Sequence, residues 1–258
     1  DHGRSPMSLD WVNNTDLSWR AQAVNPAQSA LTVASYNIHK AVGTDGRLAP
    51  ERILDVLDEI AADVALLQEA DTRFGIRTAV LPGRALARRG WQPAPLGEQH
   101  HALGWHGNAV LLRGGVRLNH SHRITLPAIE PRGAVLADIV HGNHVLRLVG
   151  AHLDLSGLAR ARQMNAIIEA VARAPGNPPE LLMGDFNEWR RGGAALAALA
   201  RHWREVPLGP SFPARLPLGR LDRAFAHHAL QVADAGVHGS PLARQASDHL
   251  PIFVRLAA

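Results

Sequence analysis

The chain has 258 residues, of which 46% are hydrophobic, with no cysteine and a formal net charge of +4. This length and apolar content suffice for the core of one domain, and the apolar runs are too short for a membrane-spanning helix. The sequence pI of about 10.7 arises because arginine supplies every cation except Lys40. That composition alone does not indicate a nucleic-acid partner.

The first 30 residues are polar and show neither helical nor strand periodicity. We therefore expect residues 1–30 to form an extended arm, with Trp11 and Trp19 packed on the body. Residues 1–6, ahead of Met7, are consistent with a remnant of cloning. The first residues lack the pattern of a secretory signal, and the sequence contains no cysteine. Both observations favour a cytoplasmic protein without stable membrane insertion. Export remains an alternative if a signal peptide was removed during cloning.

From Leu31 onward, short apolar runs alternate with helical segments and Gly/Pro turns, as in a layered α/β domain. Eight runs are predicted to be strands: 31–37, 63–69, 108–113, 134–140, 144–153, 180–185, 221–226 and 251–257. Helical periodicity predicts surface helices from Pro50 and over 157–173. The alanine-rich stretch AALAALA after Gly193 predicts a short helix. Eight strands are enough for two sheets.

Polar residues collect at the ends of these apolar strands. They are Asn37, Glu69, His152, Asp154, Asp185 and Asn187, and Asp248 and His249 lie just before the last strand. Strand ends are where α/β folds build their sites. Burial of such groups without partners would cost roughly a few kcal/mol each, so the simplest interpretation is that they converge on a shared ion and substrate.

The ligand types favour a hard cation. Glu69 and Asp248 offer carboxylate oxygens and Asn37 offers an amide oxygen, which suit Mg²⁺ or Mn²⁺ better than zinc because there is no cysteine and no closely paired histidine. His249 offers a base or an orienting group. Asp222, an acid within an otherwise apolar strand, is the candidate that holds the tautomer of His249.

Seven strings resemble, in order and approximate spacing, the endonuclease/exonuclease/phosphatase superfamily. They are SYNIHK (35–40), LLQEA (66–70), GNAVLL (107–112), GAHLD (150–154), GDFNEW (184–189), RLDRAF (220–225) and SDHLPI (247–252). The superfamily includes pancreatic-type deoxyribonucleases, apurinic endonucleases, inositol-polyphosphate 5-phosphatases and neutral sphingomyelinases. The resemblance implies an α/β fold over residues 31–258: a four-layer sandwich of two packed, mainly antiparallel mixed β-sheets with helices on the outer faces.

The resemblance also implies roles for the residues that match its motifs. Glu69 would be the principal metal ligand, with Asn37 and Asp248 close to the ion directly or through water. Asp185 would orient or deprotonate the attacking water. Asn187 would contact the scissile phosphate or ligate a second metal.

Two histidines complete the implied site. His249, supported by Asp222, and His152 would flank the phosphate and either stabilise transition-state charge or serve the leaving oxygen. Three further residues are candidates for contact with the substrate phosphate: Arg132, Asn108 and His39. His39 stands where apurinic endonucleases have Asp, which disfavours that branch. Of the other histidines, we expect His106 near the cleft and His122 and His141 at the surface.

The sequence therefore predicts a metal-dependent hydrolase of phosphate esters, most simply a phosphodiesterase that uses metal-activated water. A DNA or RNA nuclease is an alternative, disfavoured by the modest net charge and the lack of lysine-rich runs. A phosphomonoesterase of the inositol-phosphate type is a further alternative. A binding module with a vestigial site is remote because Glu69, Asp185 and His249 are all present. The expected partner is a phosphodiester, a lipid headgroup or a nucleic acid.

Overall fold

Two mixed β-sheets lie at the centre of the fold. The computed structural model describes residues 12–13, 30–72, 77–97, 101–127, 132–190 and 192–257. The strands within them are β1 (Val12–Asn13), β2 (Leu31–Asn37), β3 (Val64–Gln68), β4 (Gln92–Pro93), β5 (Ala109–Leu112), β6 (Arg117–Thr125), β7 (Gly133–His141), β8 (His144–His152), β9 (Glu180–Asp185), β10 (Arg204–Val206), β11 (Asp222–Ala226), β12 (Val232–Val237) and β13 (Ile252–Leu256). The helices are α1 (Pro50–Ile60), α2 (Gly83–Arg88), α3 (Gly157–Arg173), α4 (Ala194–Leu199) and α5 (Pro241–Ala246), and a 3₁₀ turn spans His39–Ala41.

The strand order explains how distant segments reach one edge. One sheet has seven strands in the order β1-β6-β7-β8-β9-β11-β10, and the other has six in the order β12-β13-β2-β3-β5-β4. Strands β2 and β3 are parallel, as are β8 and β9, and the other described pairs are antiparallel. Strands of a parallel pair end at the same edge of their sheet. Each sheet therefore presents two neighbouring carboxyl-terminal strand ends.

Three apolar cores separate four layers. Alternation along β2 shows how the layers form, because Leu31 and Val33 point toward the other sheet whereas Ala34 and Tyr36 point toward the helices. Helices α1, α2 and α5 cover the outer face of the six-stranded sheet, and α3 and α4 cover that of the seven-stranded sheet. The predicted four-layer sandwich of mainly antiparallel mixed sheets is thus confirmed.

A buried ion pair joins two neighbouring strands of the seven-stranded sheet. Arg147 on β8 lies opposite Asp138 on β7, and its guanidinium donates to both carboxylate oxygens, at 2.8 and 2.9 Å. Arg147 also donates to the main-chain oxygen of Pro175, just after α3, at 2.7 Å. With a residue exposure of 1%, this guanidinium depends on these partners for its solvation.

All eight predicted strands are present, with ends that differ by at most one residue, and the three predicted helices are α1, α3 and α4. The sequence patterns did not reveal β1, β4, β6, β10 and β12, nor α2 and α5. Two histidines also differ from expectation: His122 and His141 are buried. They lie on β6 and β7, which pair along the interior of the larger sheet.

Little of the predicted arm can be compared with the structure. Within residues 1–30, the described part comprises residue 30 and β1, whose two residues pair antiparallel with β6. The positions of Trp11 and Trp19 lie outside the described residues. In the described part of the chain, no helix is both long and apolar enough to cross a membrane.

Candidate active site

The predicted polar residues meet at one edge of the sandwich. Asn37 ends β2, opposite the last residue of β3, and Glu69 follows that residue. In the other sheet, Asp185 ends β9 and is paired in register with His152 on one side and with Asp222 on the other. The residue before Asp185 must be small, because a Cβ at Gly184 would collide with the main-chain oxygen of Ala151 on β8.

Asp185 is the centre of the cluster. Its Oδ2 accepts a hydrogen bond from Nδ2 of Asn37 at 3.0 Å, and it lies 3.5 Å from Nε2 of His152 and 3.7 Å from Nε2 of His249. Its Oδ1 accepts from the main-chain N–H of Asn187 at 3.0 Å. Asp185 as a whole is 1% exposed. One buried acid therefore faces two imidazoles and two amide donors.

His249 is fixed from behind by an acid. Its Nδ1 lies 2.8 Å from Oδ2 of Asp222, which also accepts from Oγ of Ser211 at 2.5 Å. This contact fixes the ring so that Nε2 points toward Asp185. Burial disfavours the imidazolium, but the charge of Asp222 and its hydrogen bond outweigh burial and raise the pKa of His249 to about 10.

The raised pKa of His249 predicts a pH dependence of stability in protein freed of metal with EDTA. The ordinary pKa of this side chain is 6.5, and that of His249 in the folded protein is about 10. Stabilisation by the imidazolium is therefore fully present below the lower value and lost as the pH rises through the upper one. We expect the free energy of unfolding, measured with urea, to fall between these pH values in the wild type and to fall less in His249→Gln. Equal slopes would contradict the pairing.

The second group of predicted residues surrounds Glu69. Lys40 Nζ lies 2.6 Å from Oε2 of Glu69. The amide oxygen of Asn37 accepts from the main-chain N–H of His39 at 3.1 Å. The imidazole of His39 lies 3.9 Å from the half-exposed carboxylate of Asp248. These groups form the rim of the cluster nearest to solvent.

Backbone conformation at this rim is unusual. His39, Lys40 and Ala41 all have positive φ, at 45°, 54° and 59°, and Glu69 has φ of 55°. Non-glycine residues rarely adopt this region, and such strain concentrates at functional sites. The turn places Lys40 against Glu69, so the sole lysine of the chain lies where a cation is expected.

Among the described residues, two sets of side chains are candidates for holding a metal ion. Asp185, Asp222 and His249 offer ligand atoms within 4.8 Å of one another, but His249 already faces one carboxylate with each ring nitrogen. Glu69, Asn37 and Asp248 offer hard oxygen donors, and the ammonium at Glu69 shows that a positive charge fits there. The donor chemistry of the second set fits Mg²⁺ or Mn²⁺ better.

The remaining candidates lie beside the cluster with different surroundings. Arg132 Nη1 lies 2.7 Å from Nε2 of His152, and both line an open cleft of about 360 Å³ with Lys40, Glu69 and His106. Asn108 is fully buried. Its amide donates to the main-chain oxygens of Trp105 and Gly133, and so ties the turn before β5 to β7.

Two predicted residues also make local contacts. Asn187 donates from Nδ2 to the main-chain oxygen of Leu153 at 3.0 Å. The carboxylate of Asp154 accepts from the main-chain N–H of Ser156 at 2.9 Å, as a turn residue does. The main-chain N–H of Asp154 donates to Oε1 of Gln163 on α3 at 2.9 Å. These bonds hold Asp154 to the start of α3, apart from the cluster around Asp185.

Sequence reasoning missed Lys40 and Ser211. Lys40 had a signal, because it is the only lysine and belongs to the SYNIHK string. Ser211 had none, since it lies in the loop between β10 and β11, which shows no periodicity. Arg73 and Arg77 follow Glu69 closely in the chain, and a surface ion pair with either of them is the ordinary alternative to a metal site. The structure pairs Glu69 with Lys40, and Arg73 lies outside the described residues.

Known proteins resemble this chain, one in sequence and two in fold. YbhP of Escherichia coli (strain K12), an uncharacterized protein, is 29% identical over 256 residues, covering 89% of this chain and 97% of YbhP. A humanized TDP2 of D. rerio superposes with a TM-score of 0.68 at 19% identity, covering 89% of this chain and 99% of that one. The mannosyl-6-phosphatase Bt3783 of Bacteroides thetaiotaomicron superposes with a TM-score of 0.66 at 19% identity, covering 88% and 100%.

The match to a family model includes every residue of the cluster. It runs over residues 34–249, from just before Asn37 to His249, and so covers most of the chain. The chain therefore belongs to the Endonuclease/Exonuclease/phosphatase family, whose members hydrolyse phosphate esters.

Proposed function

We propose that the protein is a Mg²⁺- or Mn²⁺-dependent phosphodiesterase in which water attacks phosphorus directly. The observation that carries the proposal is the position of Asp185, buried between the Nε2 atoms of His152 and His249. A carboxylate so placed can hold a water molecule and accept its proton. The two imidazoles can face the oxygens of the phosphate that the water attacks.

The two histidines have different surroundings, and they are therefore suited to different roles in catalysis. His249, paired with Asp222, is protonated at neutral pH because its pKa is raised to about 10. It is suited to stabilise negative charge on the phosphate or to protonate the leaving oxygen. His152 lies against the guanidinium of Arg132, which supplies a positive charge on this side of the cleft. Asn187 would contact the same phosphate.

Glu69, Asn37 and Asp248 would hold the metal ion in this proposal. When bound, a divalent cation offsets charge on the phosphoryl oxygens. The protein contributes the fixed donor positions: Asn37 is oriented by its bond to Asp185 and by the main-chain N–H of His39. Ser247 donates to the main-chain oxygen of Asn37 at 2.7 Å, which attaches the segment bearing Asp248 to β2.

A test of the proposal follows hydrolysis of bis-p-nitrophenyl phosphate. We expect turnover with Mn²⁺ or Mg²⁺, loss of turnover in EDTA and recovery when the ion is restored. Plasmid DNA, a choline phospholipid and an inositol phosphate, compared side by side, would rank diester against nuclease and monoester activity. Undiminished turnover in excess EDTA would refute metal dependence, and a monoester preference would refute the diesterase assignment.

Lys40 offers a second test that needs no substrate. Its ammonium lies 2.6 Å from Glu69, and two cations near one carboxylate repel each other by about 1 kcal/mol or more. Lys40→Met should therefore bind Mn²⁺ at least about fivefold more tightly in calorimetric titration. Lys40→Arg, which keeps the charge, is the matched control and should resemble the wild type. Weaker Mn²⁺ binding by Lys40→Met would show that the lysine instead positions Glu69.

A further inference from the structure

Large apolar side chains are exposed next to the candidate active site. Among the described residues, seven such side chains are exposed, and five of them lie on three loops or helix starts. They are Leu155, Leu158, Trp189, Leu216 and Leu218, each between 62% and 78% exposed. Single exposed apolar residues are common, but a contiguous group marks an interaction surface. We name these five residues the apolar rim.

Contacts join the three segments of the apolar rim. Arg160 donates to the main-chain oxygen of Leu155 at 2.6 Å and to Glu188, the neighbour of Trp189, at 3.0 Å. The Trp189 ring lies 6.1 Å from that of Phe212. Phe212 in turn accepts from the main-chain N–H of Leu218 at 2.9 Å. These contacts hold the three segments of the apolar rim next to one another.

The apolar rim borders the catalytic cluster. Trp189 follows Asn187 by two residues, and Leu155 follows His152 by three. The Phe212 ring, which packs on Trp189, lies 4.7 Å from the ring of His249. A surface that contacts the rim therefore also faces the site.

The exposed charges beside the apolar rim have one sign, because the neighbouring acids Asp154 and Glu188 are buried. Residues 155–158, 189–190 and 215–220 contain no acid. Arg162, Arg190 and Arg220 are exposed, and none of them forms an ion pair with an acidic residue in the described part of the chain. The rim thus combines leucine and tryptophan with unneutralised arginine.

We propose that the apolar rim docks the protein on the surface of an anionic bilayer. Tryptophan and leucine enter the interface between headgroups and acyl chains, and nearby arginines are attracted to anionic lipids. A single-stranded nucleic acid would instead stack its bases on aromatic platforms, and the rim has one aromatic residue and four leucines. Docking would turn the mouth of the cleft toward the headgroups. It goes beyond the proposed hydrolysis and does not depend on it.

The test measures sedimentation of the full chain, in EDTA, with sucrose-loaded vesicles. Phosphatidylcholine vesicles that contain phosphatidylserine should bind the wild type, and vesicles of phosphatidylcholine alone should bind it less. The double variant Leu216→Ser/Leu218→Ser should lower the partition coefficient at least about tenfold. Arg190→Gln and Arg220→Gln should each lower it about fivefold.

Matched controls separate docking from unfolding. Val145→Ser replaces an exposed residue at the opposite end of β8 from His152, and should bind vesicles like the wild type. Brominated phosphatidylcholine in the anionic vesicles should quench tryptophan fluorescence in the wild type and less in Trp189→Phe. The thermal midpoint of each variant should match that of the wild type.

Three outcomes would overturn the proposal. The first is no sedimentation of the wild type with anionic vesicles. The second is equal sedimentation of the wild type and the folded double leucine variant. The third is that the wild type does not bind vesicles but binds a single-stranded oligonucleotide, or self-associates in light scattering, and that the double leucine variant loses this interaction. If the wild type binds vesicles but hydrolyses no phosphate ester, the proposed function is refuted and the docking proposal is not.

Discussion

Asp185→Asn is expected to lower kcat/KM for bis-p-nitrophenyl phosphate by about 10³-fold or more. The substitution keeps the size of the side chain and removes the charge that faces His152 and His249. An amide cannot accept a proton from water, and it cannot offset the two imidazoles. The hydrolysis rate at saturating Mn²⁺ measures the loss, and the urea midpoint shows whether the variant is folded.

Asp154→Asn is the matched control for this experiment. Asp154 is also a buried acid at the same edge, two residues after His152, but its carboxylate accepts from the main-chain N–H of Ser156. Its rate should stay within about threefold of the wild type if position in the cluster, and not burial, decides activity. A folded Asp185→Asn variant with more than about a tenth of the wild-type rate would exclude Asp185 as the group that activates water.

Asp138→Ala is expected to lower the free energy of unfolding by about 3–5 kcal/mol. The substitution removes the two carboxylate oxygens that accept from Arg147 and leaves a guanidinium that is 1% exposed. The main-chain oxygen of Pro175 remains as a partner, but a neutral carbonyl cannot offset a buried charge. Urea denaturation at neutral pH measures the change.

Two further variants show whether this effect arises from the buried charge. Asp234→Ala breaks the exposed pair with Arg255 and should cost less than about 1 kcal/mol. Asp138→Ala combined with Arg147→Met removes the charge as well as its partner, and should recover much of the lost stability. A double variant no more stable than Asp138→Ala would show that the loss comes from packing.

The strands that the sequence predicted share one property. Runs such as LTVASYN (31–37) and ELLMGD (180–185) are apolar on both faces because helices cover one face of each sheet and the other sheet covers the second. Strand β6 escaped prediction since its sequence, RLNHSHRIT, is polar and its register shifts between Leu118 and His120. Helices α2 and α5 have six residues each, too few to display a helical period.

The candidate site could be predicted as a set of residues but not as an arrangement. Chain order and residue type identified Asp185 and His249, and the lone acid of β11 pointed to Asp222, which the structure places 2.8 Å from His249. No pattern predicts that the turn at Lys40 adopts positive φ and returns to Glu69. The support of Asp222 by Ser211 likewise depends on a loop whose path is set by tertiary packing.

The alignment of the two sheets determines whether the candidate active site stays assembled. Asn37 and His249 belong to the six-stranded sheet and the segment that leads into it, and Asp185 and Asp222 belong to the other sheet. The bonds from Asn37 to Asp185 and from His249 to Asp222 therefore cross between two layers that share no strand ladder in the described part of the chain. A slide of one sheet over the other by about an ångström would break both bonds while leaving every strand ladder intact. Hydrolysis thus reports the alignment of the two layers, and activity should disappear before secondary structure does when the core between them is loosened.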